Sequence, residues 1–270
     1  MTGVQTCALP IFKGDTLPSN IEGQAVAVAD KMDTIAGCFA IKMIPTGSGD
    51  PYALRRAAFG IAEIALNSSF SFDFTAFAKY ALGLYPKALL EAEQCDIDKT
   101  AADISNFVKQ RFETKLKELN IRYDVINAVL WNGVSNIYED YRKTMSLSKA
   151  RSEKEFMALA LPFKRAVNIT KGVASAPAVR PELFAVDAEK ALYAKYQKVN
   201  ADAGTAIDAN DYSLAFRYLS ELNEPIDKFF AGVMVMDKNE DLKNNRIALL
   251  CAIKALFLRL ADISQLVIEE

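Results

Sequence analysis

Ile21-Glu-Gly-Gln-Ala-Val-Ala-Val-Ala-Asp-Lys-Met-Asp-Thr-Ile-Ala-Gly-Cys-Phe-Ala-Ile-Lys-Met43 repeats its apolar residues at the spacing of a helix, and that period decides the fold. Successive residues of a helix turn by about 100°, so positions three and four apart share a face. The pattern predicts one helix over 21–43 with Ala25, Val28, Ala29, Met32, Ile35, Ala36 and Phe39 inward. Ile44-Pro-Thr-Gly-Ser-Gly49 then breaks it. The same period returns in nearly every later segment, and strict alternation over strand-length windows is rare, so an all-α fold is expected.

Working outward, Asp50-Pro51 predicts a helix start, because the aspartate can accept from free amides of the next turn and proline suits a first helical position. That helix is expected to run to about Leu66, and another from Phe72 to Leu84. Stretches at 98–119, 121–131 and 136–146 follow. Pro162 should kink or restart the run Phe156 to Ile169, since proline removes a donor and clashes with the preceding turn. Ser175-Ala-Pro-Ala-Val-Arg-Pro181 reads as the clearest loop. Helices are then expected over 181–199, 211–222, 225–235 and from about Asp241. The last buries a stripe of Leu242, Leu249, Ile253, Leu256, Leu260 and Ile263, widened by Leu250 and Phe257.

Composition narrows the chemistry. The 270 residues are 51% hydrophobic and 24% charged, with a formal net charge of −2, the balance of an ordinary globular protein. The chain contains 0 histidines, which removes the commonest general base, the Ser-His and Cys-His nucleophiles and most zinc and iron sites. Its 4 cysteines (Cys7, Cys38, Cys95, Cys251) lie far apart, which fits a reducing cytosol and argues against a disulfide framework or a zinc cage. No apolar run reaches the roughly 18 residues of a membrane span, and the start lacks a basic region and a cleavage site of the secretory kind. The opening Met-Thr-Gly-Val-Gln-Thr-Cys-Ala-Leu-Pro-Ile11 reads as a translated sequencing adaptor and is set apart from the fold. Charge is spread evenly, so any RNA contact has to be local.

Gly47-Ser-Gly-Asp50 before a helix admits two readings, a phosphate cradle or a plain loop with a cap. The stretch lacks the Lys-Ser/Thr ending of a P-loop and a preceding strand, and Asp50 would itself take the free amides. Arg55 and Arg56, one turn on, either reach a phosphate or pair with solvent and carboxylates. Asp30 and Asp33 share a helix face, but two carboxylates without imidazole make a poor transition-metal site, and a structural role is favoured. Pro225-Ile-Asp-Lys-Phe-Phe-Ala-Gly-Val-Met-Val-Met-Asp237 holds more large apolar groups than one buried face needs. Phe229 and Phe230 cannot both face one core stripe. Either the segment is buried on two sides, or one ring, with Met234 or Met236, is offered to an unpaired base.

Several longer strings resemble one family. Ala25-Val-Ala-Val-Ala-Asp-Lys-Met-Asp-Thr-Ile-Ala-Gly37 followed by Ile44-Pro-Thr-Gly-Ser-Gly-Asp-Pro-Tyr-Ala-Leu-Arg-Arg-Ala-Ala58 is similar to the bacterial glycyl-tRNA synthetase beta subunit. Arg122-Tyr-Asp-Val-Ile-Asn-Ala-Val-Leu130, Phe163-Lys-Arg-Ala-Val-Asn-Ile169 and Pro225 to Arg246 resemble the same family in the same order. The resemblance implies a carboxy-terminal fragment: 1–11 adaptor, 12–151 the tail of an HD-like helical domain with connecting helices, and 152–270 a DALR-type anticodon-binding helical bundle. The histidines of an HD-like domain would lie upstream, so metal-dependent phosphohydrolysis is disfavoured.

In that family the alpha subunit makes glycyl-adenylate from glycine and ATP, and the beta subunit recognises the tRNA. The resemblance therefore implies a chain with no catalytic residues, no metal and no cofactor of its own, ATP and Mg being used by the alpha subunit. The implied partners are tRNA(Gly) and the alpha subunit, in a cytoplasmic heterotetramer, without DNA or membrane. The candidate tRNA contacts carried over are Lys228, Phe229, Phe230, Met234, Asn245 and Arg246 in the bundle, and Arg55 and Arg56 in the HD-like part. A helical protein-interaction scaffold that touches no RNA is the alternative.

Overall fold

A computed structural model describes residues 17–173 and 177–268. The adaptor-like start and Cys7 lie outside the described residues, as do Ser175 and Ala176 of the expected loop. Every regular element among the described residues is helical and none is a strand. The chain divides into two compact units, one of residues up to Asn120 with 132–141, the other of 121–131 with residues from Arg142 on.

In the first unit, α1 (Ile21–Ala40), α2 (Leu54–Ser68), α3 (Phe74–Gly83) and α5 (Ile97–Glu118) pack on one another, and α4 (Lys87–Ala92) is a short turn of helix that the period did not reveal. The core face of α1 carries Ala27, Val28, Met32, Ile35, Ala36 and Phe39, whereas Ala25 and Ala29 are exposed, contrary to expectation. Four large side chains, Val28, Met32, Ile35 and Phe39, fix the direction of the face, and an alanine loses little by turning away from it. Phe39 meets Phe107 of α5 edge to face at 5.3 Å.

The second helix also begins later than expected. Asp50 does accept from the next turn, Oδ1 from the Leu54 amide at 2.8 Å and Oδ2 from the Arg55 amide at 3.0 Å. Pro51, however, sits in a turn closed by the Ala53 amide on the Asp50 carbonyl, with Ala53 left-handed at φ 58°. The helix therefore starts at Leu54, and proline serves the turn, for which its fixed φ is equally suited. Asp73 and Asp96 cap α3 and α5 by accepting from the Ala76 and Lys99 amides.

The second unit contains α6 (Tyr123–Val129) and the part of α7 (Ile137–Ala150) beyond Tyr141. It continues with α8 (Lys154–Ala158), α9 (Ala160–Ile169), α10 (Asp187–Asp208), α11 (Tyr212–Ser220), α12 (Asn223–Gly232) and α13 (Glu240–Leu258). Pro162 restarts the helix: the break falls at Leu159, and the proline occupies the first turn of α9, where its missing amide has no intrahelical partner to lose. The helix expected from Pro181 is a short 3-10 turn, Pro181–Leu183, followed by α10 from Asp187 to Asp208. Phe163 lies 4.6 Å from Phe257, and Phe156 meets Phe216 at 5.7 Å, so aromatic pairs join α9 to α13 and α8 to α11.

The end of this unit is stitched to α6. The Asp262 amide donates to the Ala128 carbonyl at 2.7 Å, and the Val267 amide to Asp124 Oδ2 at 3.0 Å. Asp124 is fully buried and also accepts from Arg122 Nε at 3.2 Å and Arg151 Nε at 3.3 Å. Burial pushes its carboxyl up, but the Val267 amide, the Arg122 hydrogen bond and the two guanidinium charges outweigh it and hold the group below the usual carboxylate range.

Candidate nucleic-acid interface

The period of α9 continues on its outer side. Leu161, Lys164, Arg165 and Asn168 stand at i, i+3, i+4 and i+7, opposite the buried Phe163 and Ala166. Facing them, α12 divides its phenylalanines: Phe229 is fully buried, and Phe230 lies half-buried at the surface. Between them runs an open groove of about 1260 Å³, lined by Leu161, Lys164, Arg165, Asn168 and Lys171 on one side and Asp227, Phe230 and Met236 on the other. The Arg165 guanidinium covers the Phe230 ring at 4.4 Å. Three cations against one carboxylate give the groove a positive balance, and its apolar surfaces offer places for a base.

Beyond α12 the chain leaves the helix at an extended Val233 and bends at 235–236, and its side chains alternate. Val233 and Val235 point inward, whereas Met234 and Met236 are 73% and 58% exposed. The strap 233–237 is held from beneath by Arg246 of α13, whose Nη1 donates to the Met234 carbonyl at 2.9 Å and to Asp237 Oδ2 at 2.7 Å. Its Nε donates to Glu189 Oε1 at 2.7 Å, and Glu189 Oε2 accepts from the Ala185 and Val186 amides at the head of α10. Burial opposes the charge on Arg246, but its hydrogen bonds to Glu189 and Asp237 win, and its guanidinium is held more firmly protonated than usual. Asn239 Oδ1 then caps α13 by accepting from the Asp241 and Leu242 amides.

These positions correct part of the sequence expectation. Phe229, Asn245 and Arg246 are buried and present no surface for tRNA. Phe229 is core. Asn245 holds the backbone of Arg180, accepting from its amide at 2.7 Å and donating to its carbonyl at 2.9 Å, and Arg246 is committed to Glu189 and the strap. The signal was present: Leu242, Asn245, Arg246 and Leu249 stand at i, i+3, i+4 and i+7 on the inward stripe of α13, so polar groups there must have internal partners. Phe230 and Met234 are at the surface, and Lys228 is exposed with an ion pair to Glu224 at 2.6 Å. Sequence reasoning did not single out Lys164, Arg165 and Lys171, although α9 already showed its outward stripe.

In the first unit, Arg55 is half-buried and closes the glycine loop, its Nη2 donating to the Gly47 carbonyl at 2.7 Å, while Arg56 is exposed. Asp50 takes the two amides a phosphate would need, so the loop-and-cap reading of 47–50 holds. Asp33 serves structure: the Tyr85 hydroxyl donates to its carbonyl and carboxylate, both at 3.0 Å. Burial first, and then that carboxylate, push the phenol up to about 12. No group of three potential metal ligands, and no helix long and apolar enough to cross a membrane, occurs among the described residues.

Comparison with known proteins places this architecture. A family model described as DALR anticodon binding domain matches residues 130–263, which include the groove, and one described as glycyl-tRNA synthetase beta subunit matches residues 1–131. The helical bundle is thus an anticodon-binding domain of the aminoacyl-tRNA synthetase class. The chain is 38% identical over 265 residues to the glycine–tRNA ligase beta subunit of Moorella thermoacetica, covering 98% of this chain and 38% of that protein. It is 40% identical over 261 residues to that of Aeromonas salmonicida, covering 96% and 37%. The chain belongs to the glycyl-tRNA synthetase beta-subunit family, and it spans about 38% of the length of such relatives.

Proposed function

We propose that this chain is the tRNA-recognition portion of a glycine–tRNA ligase beta subunit, and that the groove between α9 and α12 is where tRNA(Gly) is held. The observation that carries the reading is the groove itself: Lys164, Arg165 and Lys171 for phosphates, with Phe230, Leu161 and Met236 beside them for bases, on a domain whose model is an anticodon-binding one. The glycyl ester is made on the alpha subunit, with ATP and Mg there, and this chain contributes by holding the tRNA so that its acceptor end reacts at high effective concentration.

The reading predicts salt-sensitive binding of tRNA with a preference for the glycine anticodon stem. Titrating the chain against tRNA(Gly) and two unrelated tRNAs at matched salt tests it. Equal affinity for all three would defeat the anticodon assignment. Retention of a protein partner with no tRNA binding would favour the interaction-scaffold alternative.

A further inference from the structure

We infer that Asp237 and Arg246 act as positioning residues for the tRNA groove: together they hold the strap 233–237 so that Met236 forms part of its wall. This rests on the proposed function and goes beyond it, because neither side chain lines the groove.

The geometry separates two jobs that charge alone would confuse. Arg246 directs its hydrogen bonds inward, to Glu189, the Met234 carbonyl and Asp237, so its cation is committed inside the fold. Asp237 belongs to the strap itself. Its Oδ2 receives Arg246 at 2.7 Å and its Oδ1 receives the Asn239 amide at 2.9 Å, which ties the strap to the start of α13. Val233 and Val235 hold the strap's inner side, but two small apolar anchors fix position along the surface less well than directed hydrogen bonds do. With the Asp237 link gone, Met236 would keep its exposure and lose its place beside Phe230 and Leu161.

This leads to a result opposite in sign to simple electrostatics. A carboxylate near a tRNA site repels phosphate, so its removal should tighten binding if charge decides. Positioning demands the reverse for Asp237. The test compares the full chain with Asp237→Ala, Asp237→Asn, Asp227→Ala and Met236→Ala by tRNA(Gly) titration over a salt series, with Tm measured for each.

Asp237→Ala is expected to bind about tenfold more weakly, with the salt slope of the parent, because no phosphate contact is lost. Asp237→Asn keeps an acceptor for Arg246 and should stay within about twofold of the parent. Asp227→Ala, which removes an acid from the groove wall, should bind more tightly. Met236→Ala leaves the network intact and should weaken binding as Asp237→Ala does, even if the latter unfolds. Equal or tighter binding by both Asp237 variants, or unchanged binding by Met236→Ala, overturns the inference and leaves the proposed function standing. A parent chain that binds no tRNA overturns both.

Discussion

The guanidinium carbon of Arg165 lies 4.4 Å from the centroid of the Phe230 ring, so the basic face of α9 covers the one phenylalanine that α12 does not bury. A cation over an aromatic face at an exposed site contributes about 0.5–1 kcal/mol, enough to orient both groups and too little to prevent exchange for a nucleobase. An incoming base can stack on the ring while the guanidinium turns to a phosphate. On the proposed function, the contact is the resting arrangement of the tRNA interface.

Phe230→Ala should weaken tRNA binding by about 1–3 kcal/mol, roughly fivefold to 150-fold, if one base stacks there. Phe230→Trp should retain most of the affinity, since it keeps a π face. Equilibrium titration at fixed salt measures both. An alanine variant that binds like the parent would remove Phe230 from the interface.

Lys164 and Lys171 are assigned to phosphates rather than bases, which gives them a different signature. Each change to alanine should reduce the magnitude of the slope of log K against log salt by about 0.7–0.9, with a similar loss of affinity for every tRNA. Lys190→Ala on α10, where the lysine pairs with Asp187 at 3.3 Å, serves as the comparison and should leave the slope unchanged.

Much of this was legible in the chain. The helical class followed from period alone, and the limited width of a buried stripe showed that Phe229 and Phe230 do not share one face, but it left open whether one ring is exposed or both are buried on two sides. Face and function were harder to read. Ala25 and Ala29 fit the α1 pattern but are exposed, because alanine carries too little apolar area to set a direction. Arg246 is expected at the tRNA by resemblance; its place on the inward stripe of α13 requires an internal partner, but that this partner is Glu189, 57 positions away, is something no local pattern shows. The groove needs α9 and α12 side by side, and that neighbourhood is a property of the packed bundle.

The Arg246–Glu189 pair should behave as one unit in stability. Both side chains are almost wholly buried, so Arg246→Met leaves a carboxylate without its cation and is expected to cost about 3–5 kcal/mol. Glu189→Gln also removes the pair. The double variant should lose clearly less than the two single losses added together, because no lone buried charge remains. Urea unfolding of the four proteins measures this, and additive losses would show that the two groups act independently.

Asp124 predicts a pH dependence with a definite sign. Its folded carboxyl titrates below the ordinary carboxylate range: burial alone would raise it, and the Val267 amide with Arg122 and Arg151 overcomes that. The unfolded chain therefore binds the proton more readily, so the stability due to this group is present above the unfolded pKa, about 4. It disappears as the pH falls through the folded value. Replacing the group by Asn removes the charge at every pH, while Val267 keeps an acceptor for its amide. The difference in Tm between the parent and Asp124→Asn should thus be largest near neutrality and shrink as the solution is acidified below about pH 4. The same contact ties the segment at Val267 to α6, so proteolysis near residues 263–268 should accelerate in the Asn variant at neutral pH and differ little from the parent in acid. A Tm difference that stays constant across the acid range would mean that the carboxylate charge contributes nothing to holding that end of the domain.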